Sequence, residues 1–348
     1  MWVYWTMFCA PAVASLSPWR LNQSSRAVAL AVTAVVLILV IGLRDEVGAD
    51  WSGYTAILDE NAARSLTQIL IGREPGFGLI TWVSTQLGWG VYGVDVLAAI
   101  IFVAGLSAFL IRQPNPWMCL SLAVPVLVIQ LGMSGIRQAC AVGCLCFAFN
   151  AFVDRRILRY IVFSLLAFTF HQTAIIFVPL ITLIDGKIRI IPTILAASLL
   201  AYIFSFALRD IGFYNTTYVL QDLGGAAGAL PRLGFNVIAA IVFLLVRKHW
   251  HSAYPDFLLF YILAIITLVI SPFVFFAQVA VDRLEYYMIP FQIAVLSRVP
   301  EFLERRLGAA FTALVFAGYG AALGVWLNFS WIAQLGWLPY RSLIFEPK

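Results

Sequence analysis

Long apolar runs separated by short polar junctions fill almost the whole chain. A run without a polar face predicts a helix that is surrounded by apolar material, either in a protein core or in a membrane. A helix that crosses the hydrocarbon layer of a membrane needs about 20 apolar residues. The pattern predicts spanning helices at 2–18, 27–43, 91–111, 117–133, 138–153, 158–170, 173–184, 190–208, 234–247, 256–277, 285–298 and 308–327.

One further apolar stretch, 76–90, is interrupted by four glycines. We interpret it as a short or re-entrant segment that does not span, and we expect a helix break near His171. With these two choices, the inner loops hold thirteen of the 22 Lys and Arg residues and five of the 17 Asp and Glu residues. Short inner loops are usually enriched in Lys and Arg, so the charges favour twelve spans with both termini outside.

The predicted fold is therefore an all-α polytopic membrane protein that forms a single integral membrane domain, 1–348. Two outer loops are predicted within it. The first covers 44–90 and includes the re-entrant segment, and the second covers 209–233.

Composition agrees with the membrane interpretation. Hydrophobic residues make up 62% of the 348 residues and charged residues 11%, against about 45–50% and about 25% in ordinary soluble domains. These fractions exclude soluble enzymes, disordered chains and small disulfide-rich secreted domains. The net charge of +5 is explained by the basic inner loops, so we expect no nucleic-acid partner.

The five cysteines do not indicate a metal site. Cys140, Cys144 and Cys146 form a cluster, but their neighbours are apolar residues rather than the further Cys or His ligands that zinc requires. We expect no metal and no cofactor.

The predicted topology places the unusual polar residues together on the outer side of the membrane. Arg137 is the strongest signal, because it interrupts two apolar runs and an arginine at membrane depth is typical of a functional site. The alternative is that its side chain extends to the polar interface. Arg44 and Asp45 follow an apolar helix directly, where the pair either holds a fixed geometry or is a solvated helix end.

Three other positions carry candidate chemistry. Glu74 precedes a proline and suits a helix N-terminus, so a capping role and a catalytic role are both open. His171 stands alone among apolar residues, where it is either a packing residue or a general base. Arg283 has the wrong sign for a helix N-terminus, which indicates a nearby anion, whereas Asp282 and Glu285 suit a capping box.

Arg44, Arg137 and Arg283 come from three distant parts of the chain. An arginine side chain binds phosphate oxygens through two parallel hydrogen bonds, and clustered arginines in a low-dielectric site hold a diphosphate strongly. An outward-facing cluster of this kind in a membrane protein indicates a lipid diphosphate as the class of substrate.

Five short motifs occur in an order and spacing that resemble one known family. They are G-L-R-D-E-V-G-A-D-W-S-G-Y at 42–54, E-P-G-F at 74–77, S-G-I-R-Q at 134–138, F-H-Q-T-A at 170–174 and D-R-L-E-Y-Y at 282–287. The chain resembles the EpsG family of Wzy-like polysaccharide polymerases, which is similar to O-antigen polymerases and ligases. This family usually has Tyr at the position of Trp51 and Ser at the position of Thr173.

The resemblance implies a membrane glycosyltransferase fold similar to the GT-C class, with its site facing the periplasm from a bacterial inner membrane. It implies transfer of a glycan from undecaprenyl diphosphate to a lipid-linked repeat unit, without a metal. The implied partners are the lipid-linked donor and acceptor, the bilayer and, as a further candidate, a chain-length regulator. An O-antigen type ligase and a flippase or transporter of lipid-linked sugars are the alternatives.

The same resemblance suggests roles for individual residues. Arg44, Arg137 and Arg283 would stabilise charge on the departing diphosphate. His171 would take the proton of the attacking sugar hydroxyl, with Asp50 and Glu74 as alternative bases. The residues expected to contact the substrate are Asp45, Tyr54, Gln138, Asp282 and Tyr286.

Overall fold

The computed structural model describes residues 1–17, 22–185 and 228–345. Over these ranges the chain is helical, and strand pairing is limited to an isolated antiparallel bridge between Arg44 and Ser342. The α-helices, numbered in order among the described residues, are α1 Trp2–Leu16, α2 Gln23–Gly42, α3 Trp51–Ala62, α4 Leu66–Leu70, α5 Pro75–Gln86, α6 Gly90–Leu110, α7 Pro116–Ala123, α8 Ile136–Val153, α9 Ile157–Phe170, α10 Ala229–Ala253, α11 Phe257–Ile270, α12 Gln278–Arg298, α13 Arg305–Phe329 and α14 Trp331–Gly336. A π-helical segment, Val124–Leu131, continues α7, and 3₁₀ segments lie at Gln172–Leu183, Ser271–Phe275 and Val299–Phe302.

Six of the described helices are long and apolar enough to cross a membrane: α2, α6, α8, α10, α13, and α11 with the 3₁₀ segment that follows it. A helix of about 20 residues is about 30 Å long, which matches the hydrocarbon core. Four shorter apolar helices accompany them, at Trp2–Leu16, Pro116–Leu131, Ile157–Phe170 and Gln172–Leu183. The protein is therefore an all-α, multi-pass membrane protein. The count of twelve spans stays a prediction, and the predicted span at 190–208 lies outside the described residues.

The 44–90 segment contains more helix than its apolar pattern predicts, because it folds into α3, α4 and α5. α4 begins with a capping box, in which Ser65 and Gln68 each accept a hydrogen bond from the other's backbone N–H. α5 begins with Pro75 at its first position, where the missing N–H removes no intrahelical bond. With 12 residues, α5 is about 18 Å long, which is too short to cross the hydrocarbon core.

Two helix junctions position the residues of interest. α9 ends at Phe170 and a 3₁₀ segment begins at Gln172, so the predicted break near His171 is present. The π-helical segment ends at Leu131, shortly before α8 begins at Ile136, and this places Arg137 in the first turn of α8. Single π-helical turns are frequent at functional sites.

The boundaries of α12 and α10 differ from the predicted ones. α12 begins at Gln278 rather than at 285, because the apolar residues before Asp282 continue the helix upstream. Asp282 and Glu285 therefore lie inside the helix, and the capping-box interpretation is wrong. α10 begins at Ala229, so the end of the predicted 209–233 loop is helical, while 209–227 lies outside the described residues.

The described residues form two compact units. The first comprises the described residues of Met1–Phe147, Leu166–Gln172 and Ser297–Lys348, and the second those of Ala148–Leu165 and Thr173–Leu296. Within the first unit, α6 and α8 touch backbone to backbone, since a Cβ atom on Gly105 would overlap the backbone of Gly143. Small residues at such a crossing allow membrane helices to approach closely.

Candidate functional site

Glu74 and Arg137 form the centre of the candidate site, in the first unit. Arg137 Nη1 lies 2.8 Å from Glu74 Oε2. Glu74 occupies the N-cap position of α5, but its side chain makes no capping hydrogen bond, so the carboxylate binds Arg137 instead. A cation in the first turn of α8 is disfavoured by the helix dipole, and the Glu74 carboxylate offsets this cost.

The second carboxylate oxygen of Glu74 faces the junction after α9. The backbone N–H of Gln172 donates to Glu74 Oε1 at 3.5 Å. The Gln172 side chain is held by Arg73, whose Nε donates to Gln172 Oε1 at 3.0 Å and whose carbonyl accepts from Gln172 Nε2 at 2.9 Å. The motifs at 74–77, 134–138 and 170–174 therefore meet in space.

Tyr54 lies beside the Arg137 guanidinium. Its buried ring packs against Phe77 with 5.6 Å between ring centroids, and Arg137 donates a hydrogen bond to its hydroxyl. Burial raises the pKa of the Tyr54 phenol and the nearby Asp50 carboxylate raises it further, while Arg137 opposes both. Tyr54 is therefore a neutral hydroxyl at physiological pH, with a proton to donate.

Arg137 retains an accessible surface. Its side chain is 41% exposed, whereas the Glu74 side chain is 15% exposed. A guanidinium carries five N–H donors in one plane, so an anion can bind the open ones while Glu74 stays in place. The arrangement suits a phosphate oxygen at a site that is partly shielded from water.

The 44–50 loop is joined to this site through Asp50 and Gly48. The Asp50 N–H donates to Ser134 Oγ at 3.2 Å, three residues before Arg137. Gly48 has a φ of +112°, and a Cβ atom there would overlap the carbonyl oxygen of Met133. Glycine alone permits both the positive φ and this approach without strain. The Asp50 side chain is exposed.

The structure corrects the prediction that Arg44 binds a diphosphate. Its side chain is 0% exposed, and its Nη2 lies 2.7 Å from Asp95 Oδ1. Its Nε donates to Val47 O at 2.9 Å and its Nη1 to Ile41 O at 2.6 Å. A sealed guanidinium whose three nitrogens all bond within the chain presents no surface to a ligand. We therefore assign Arg44 a structural role.

Asp95 is the residue that reasoning from the sequence missed. It lies within the apolar helix α6 and is fully buried. An acid inside an apolar run signals a buried partner in the same way as Arg137 does. Asp45, beside Arg44, accepts a hydrogen bond from the Tyr92 hydroxyl at 2.7 Å, which makes it part of the same internal arrangement.

His171 and Gln138 are buried in the first unit. The His171 N–H donates to Ala167 O at 3.0 Å, which completes the last turn of α9. The first unit thus brings together the side chains of Glu74, Arg137 and Tyr54 with the backbone that carries His171.

In the second unit, Asp282 and Tyr286 share Arg232 as a partner. Arg232 Nε donates to Asp282 Oδ1 at 3.0 Å, and its guanidinium carbon lies 5.0 Å from the centroid of the Tyr286 ring. Arg283 is partly exposed. Glu285 is buried, and neither of its carboxylate oxygens has a hydrogen-bond partner in the described part of the chain. The meeting of Arg283 with Arg137 at one site stays a prediction.

Two further observations concern the contact of Thr173 and the possibility of a bound metal ion. The Thr173 hydroxyl lies 2.8 Å from the Tyr287 hydroxyl, so the residue keeps a polar contact at a position where the resembled family usually has serine. Over residues 1–17, 22–185 and 228–345, no group of three or more His, Cys, Asp or Glu side chains is placed to hold a metal ion.

Comparison with known proteins gives one finding. A family model described as the EpsG family matches residues 28–342. This range is the greater part of the chain and includes all five motifs quoted above. No curated protein and no solved structure matches.

Proposed function

The chain belongs to the EpsG family, and from this premise we propose that it is a polysaccharide polymerase of the glycosyltransferase type. The proposed donor is a growing glycan on undecaprenyl diphosphate. The proposed acceptor is the sugar end of a new lipid-linked repeat unit. We propose that the site faces the periplasm from the inner membrane.

The Glu74–Arg137 pair is the observation that carries the proposal. It links three of the five motifs, because Glu74 also accepts from the backbone of Gln172. Family motifs that are separated by up to about 100 residues in the chain meet at a guanidinium that is still 41% exposed. An open arginine in a partly shielded site is the group that a diphosphate leaving group requires.

The proposed reaction assigns a role to each side chain of this centre. The acceptor hydroxyl oxygen attacks the anomeric carbon, and the bond from that carbon to the diphosphate oxygen breaks with its electron pair. Arg137 stabilises the charge that develops on the diphosphate, Tyr54 donates a hydrogen bond, and Glu74 orients Arg137. Arg283 remains a proposed second ligand of the diphosphate.

The proton of the attacking hydroxyl needs an acceptor. Both oxygens of Glu74 already accept hydrogen bonds, from Arg137 and from Gln172, so the carboxylate is engaged in holding these two groups. We therefore propose His171 as the base, with Asp50 as the alternative because its carboxylate is exposed next to Tyr54.

The experiment is complementation of a strain that lacks this protein, with glycan chain length read on a gel. The deletion should accumulate single repeat units, and Arg137→Ala should fail to restore polymer at normal protein levels. The matched control is Arg64→Ala, because Arg64 also pairs with a glutamate but at the surface. Full-length polymer from Arg137→Ala would contradict the proposed role of Arg137, and His171→Ala tests the base in the same way.

The same deletion strain separates the alternatives. Loss of a ligase leaves polymer on the lipid carrier, and loss of a flippase leaves repeat units on the inner side of the membrane. Loss of a polymerase leaves single repeat units on the outer side. Polymer of normal length in the deletion would contradict the polymerase assignment.

A further inference from the structure

Residues 336–343, which we call the strap, bind the loop that leads from α2 to the candidate site. The Asp45 N–H donates to Arg341 O at 3.1 Å, and the Leu343 N–H donates to Leu43 O at 2.9 Å. Ser342 adds its hydroxyl to the same Leu43 carbonyl at 2.8 Å. These bonds surround the antiparallel bridge between Arg44 and Ser342, so the strap fixes the start of the loop.

The strap also fixes the end of this loop. The Gly48 N–H donates to Gly336 O at 2.6 Å. From Gly48 onward the loop rests on the carbonyl of Met133 and binds Ser134 through the Asp50 N–H. The loop is therefore held between the strap and the turn that precedes α8.

Trp337 reaches the other side of that turn. Its buried indole donates from Nε1 to Ile129 O at 3.1 Å. Ile129 lies in the last turn of the π-helical segment Val124–Leu131, and the last carbonyl groups of a helix are available to an outside donor. The Tyr4 hydroxyl donates to Trp337 O at 2.7 Å, which is a further contact that fixes the strap.

Both contacts lie just before the first turn of α8. The turn at 132–135 lies between Ile129 and Arg137, with Trp337 bound before it and the loop bound within it. A group that stabilises a transition state must be held within about 0.5 Å of its productive position. We propose that the strap is a positioning element for Arg137, and that Trp337 is the residue through which it acts.

This inference rests on the proposed function, because it assumes that Arg137 binds the leaving diphosphate. Trp337 is a positioning residue, since its indole N–H binds the carbonyl of Ile129 and acts on Arg137 through the intervening turn. Its loss should lower the rate of transfer more than the affinity for substrate, because a displaced guanidinium loses interactions that exist only in the transition state.

The test uses the purified full chain and the lipid-linked repeat unit isolated from the deletion strain. Trp337→Phe keeps an aromatic ring but removes the indole N–H, and we expect kcat to fall about tenfold while KM changes by less than about twofold. Trp331→Phe is the matched control, because Trp331 is exposed. Ser342→Ala, which removes one hydroxyl, should also lower kcat, but by a smaller factor.

Combination with Arg137→Lys separates positioning from general destabilisation. If Trp337 acts through Arg137, Trp337→Phe should have little further effect on kcat in an Arg137→Lys background. If the double variant instead lowered kcat by the product of the two separate factors, the inference would be overturned. Hydrogen–deuterium exchange should increase at 43–50 and 132–138 in Trp337→Phe, and unchanged exchange would also overturn it.

Failure of the proposed function gives a different result. In that case the unmodified chain would not turn over the repeat unit, whereas failure of the Arg137 role alone would leave Arg137→Lys and Arg137→Ala at the rate of the unmodified chain. The exchange measurement does not depend on activity, so it tests the contacts of the strap independently of the proposed function.

Discussion

Glu74 does not take the capping role that its position predicts, because its carboxylate binds distant partners instead. It stands at the N-cap of α5, where a carboxylate usually binds the first backbone N–H groups of the helix. Its oxygens instead accept from Arg137 and from the Gln172 backbone. The residue therefore connects its own motif to two distant ones rather than capping α5.

We expect Glu74→Ala to reduce polymer formation by about tenfold to a hundredfold, because Arg137 loses the anchor that sets its position. Glu74→Gln should retain more activity, since the amide oxygen still accepts a hydrogen bond from Arg137. The measurement is polymer formed per amount of protein in the membrane. Glu60→Ala is the control, because the pair of Glu60 with Arg64 is exposed, and an equal loss in both variants would contradict the anchoring role.

The buried pair of Arg44 and Asp95 predicts a defect in stability. Removal of one partner of a buried ion pair costs about 3–5 kcal/mol of free energy of unfolding, because the other charge stays buried and uncompensated. Asp95→Asn should therefore lower both the melting temperature in detergent and the amount of protein in the membrane.

The control for Asp95 is Glu46→Gln, which breaks the exposed pair of Glu46 with Arg341. Surface pairs contribute less than about 1 kcal/mol, so this variant should melt close to the unmodified chain. An Asp95→Asn variant of normal stability with lost activity would instead support the original prediction of a ligand-binding Arg44.

At the scale of elements, the site is built where helices begin and end. α5 begins next to Glu74, α8 begins next to Arg137 and α9 ends next to His171. Helix ends leave backbone groups without intrahelical partners, and the Gln172 N–H that binds Glu74 is one of these. The close approach of the 44–50 loop to the start of α8 depends on Gly48.

Gly48→Ala should disturb this approach. The new methyl group would meet the Met133 carbonyl, and alanine is strained at a φ of +112°. We expect loss of polymer and a lower melting temperature. Gly318→Ala is the matched control, since a Cβ atom at Gly318 in α13 meets nothing within 4 Å, and a helical Gly→Ala change stabilises by about 0.5–1 kcal/mol. Equal behaviour of the two variants would contradict the close contact.

At the scale of the whole molecule, the predicted topology separates two exposed serines. Ser65 lies in the predicted outer segment 44–90, and Ser252 lies near the end of α10, in the predicted inner loop between the spans 234–247 and 256–277. Ser65→Cys should react with a membrane-impermeant maleimide supplied on the periplasmic side, and Ser252→Cys should react only after the membrane is opened. The two substitutions are chemically the same, so each controls for the other. The reverse pattern would contradict the predicted orientation.

Much of the architecture could be predicted because the chain is so apolar. Six long apolar helices, the break near His171 and the short segment at 76–90 follow from hydrophobic runs and their interruptions. Helix boundaries in polar regions were less predictable, as at α12 and within 44–90, because capping residues compete with continued helix on either side.

The sequence pointed to several residues of the candidate site, but not to their geometry and not to the internal position of Arg44. Charged residues are expensive in apolar surroundings, so their presence alone marked Arg137, Glu74 and His171. Arg232 was not chosen because it lay in the predicted loop 209–233, and its pairing with Asp282 depends on the packing of α10 with α12 in the second unit.

The sequence by itself determined that this is a multi-pass membrane protein of the EpsG family, because hydrophobic runs and motifs are local properties of the chain. Only the tertiary structure decided that Arg44 is sealed against Asp95 while Arg137 remains open beside Glu74. The two arginines are equivalent as residue types. Their difference arises from burial and from partners 51 and 63 residues away, which only packing brings into contact.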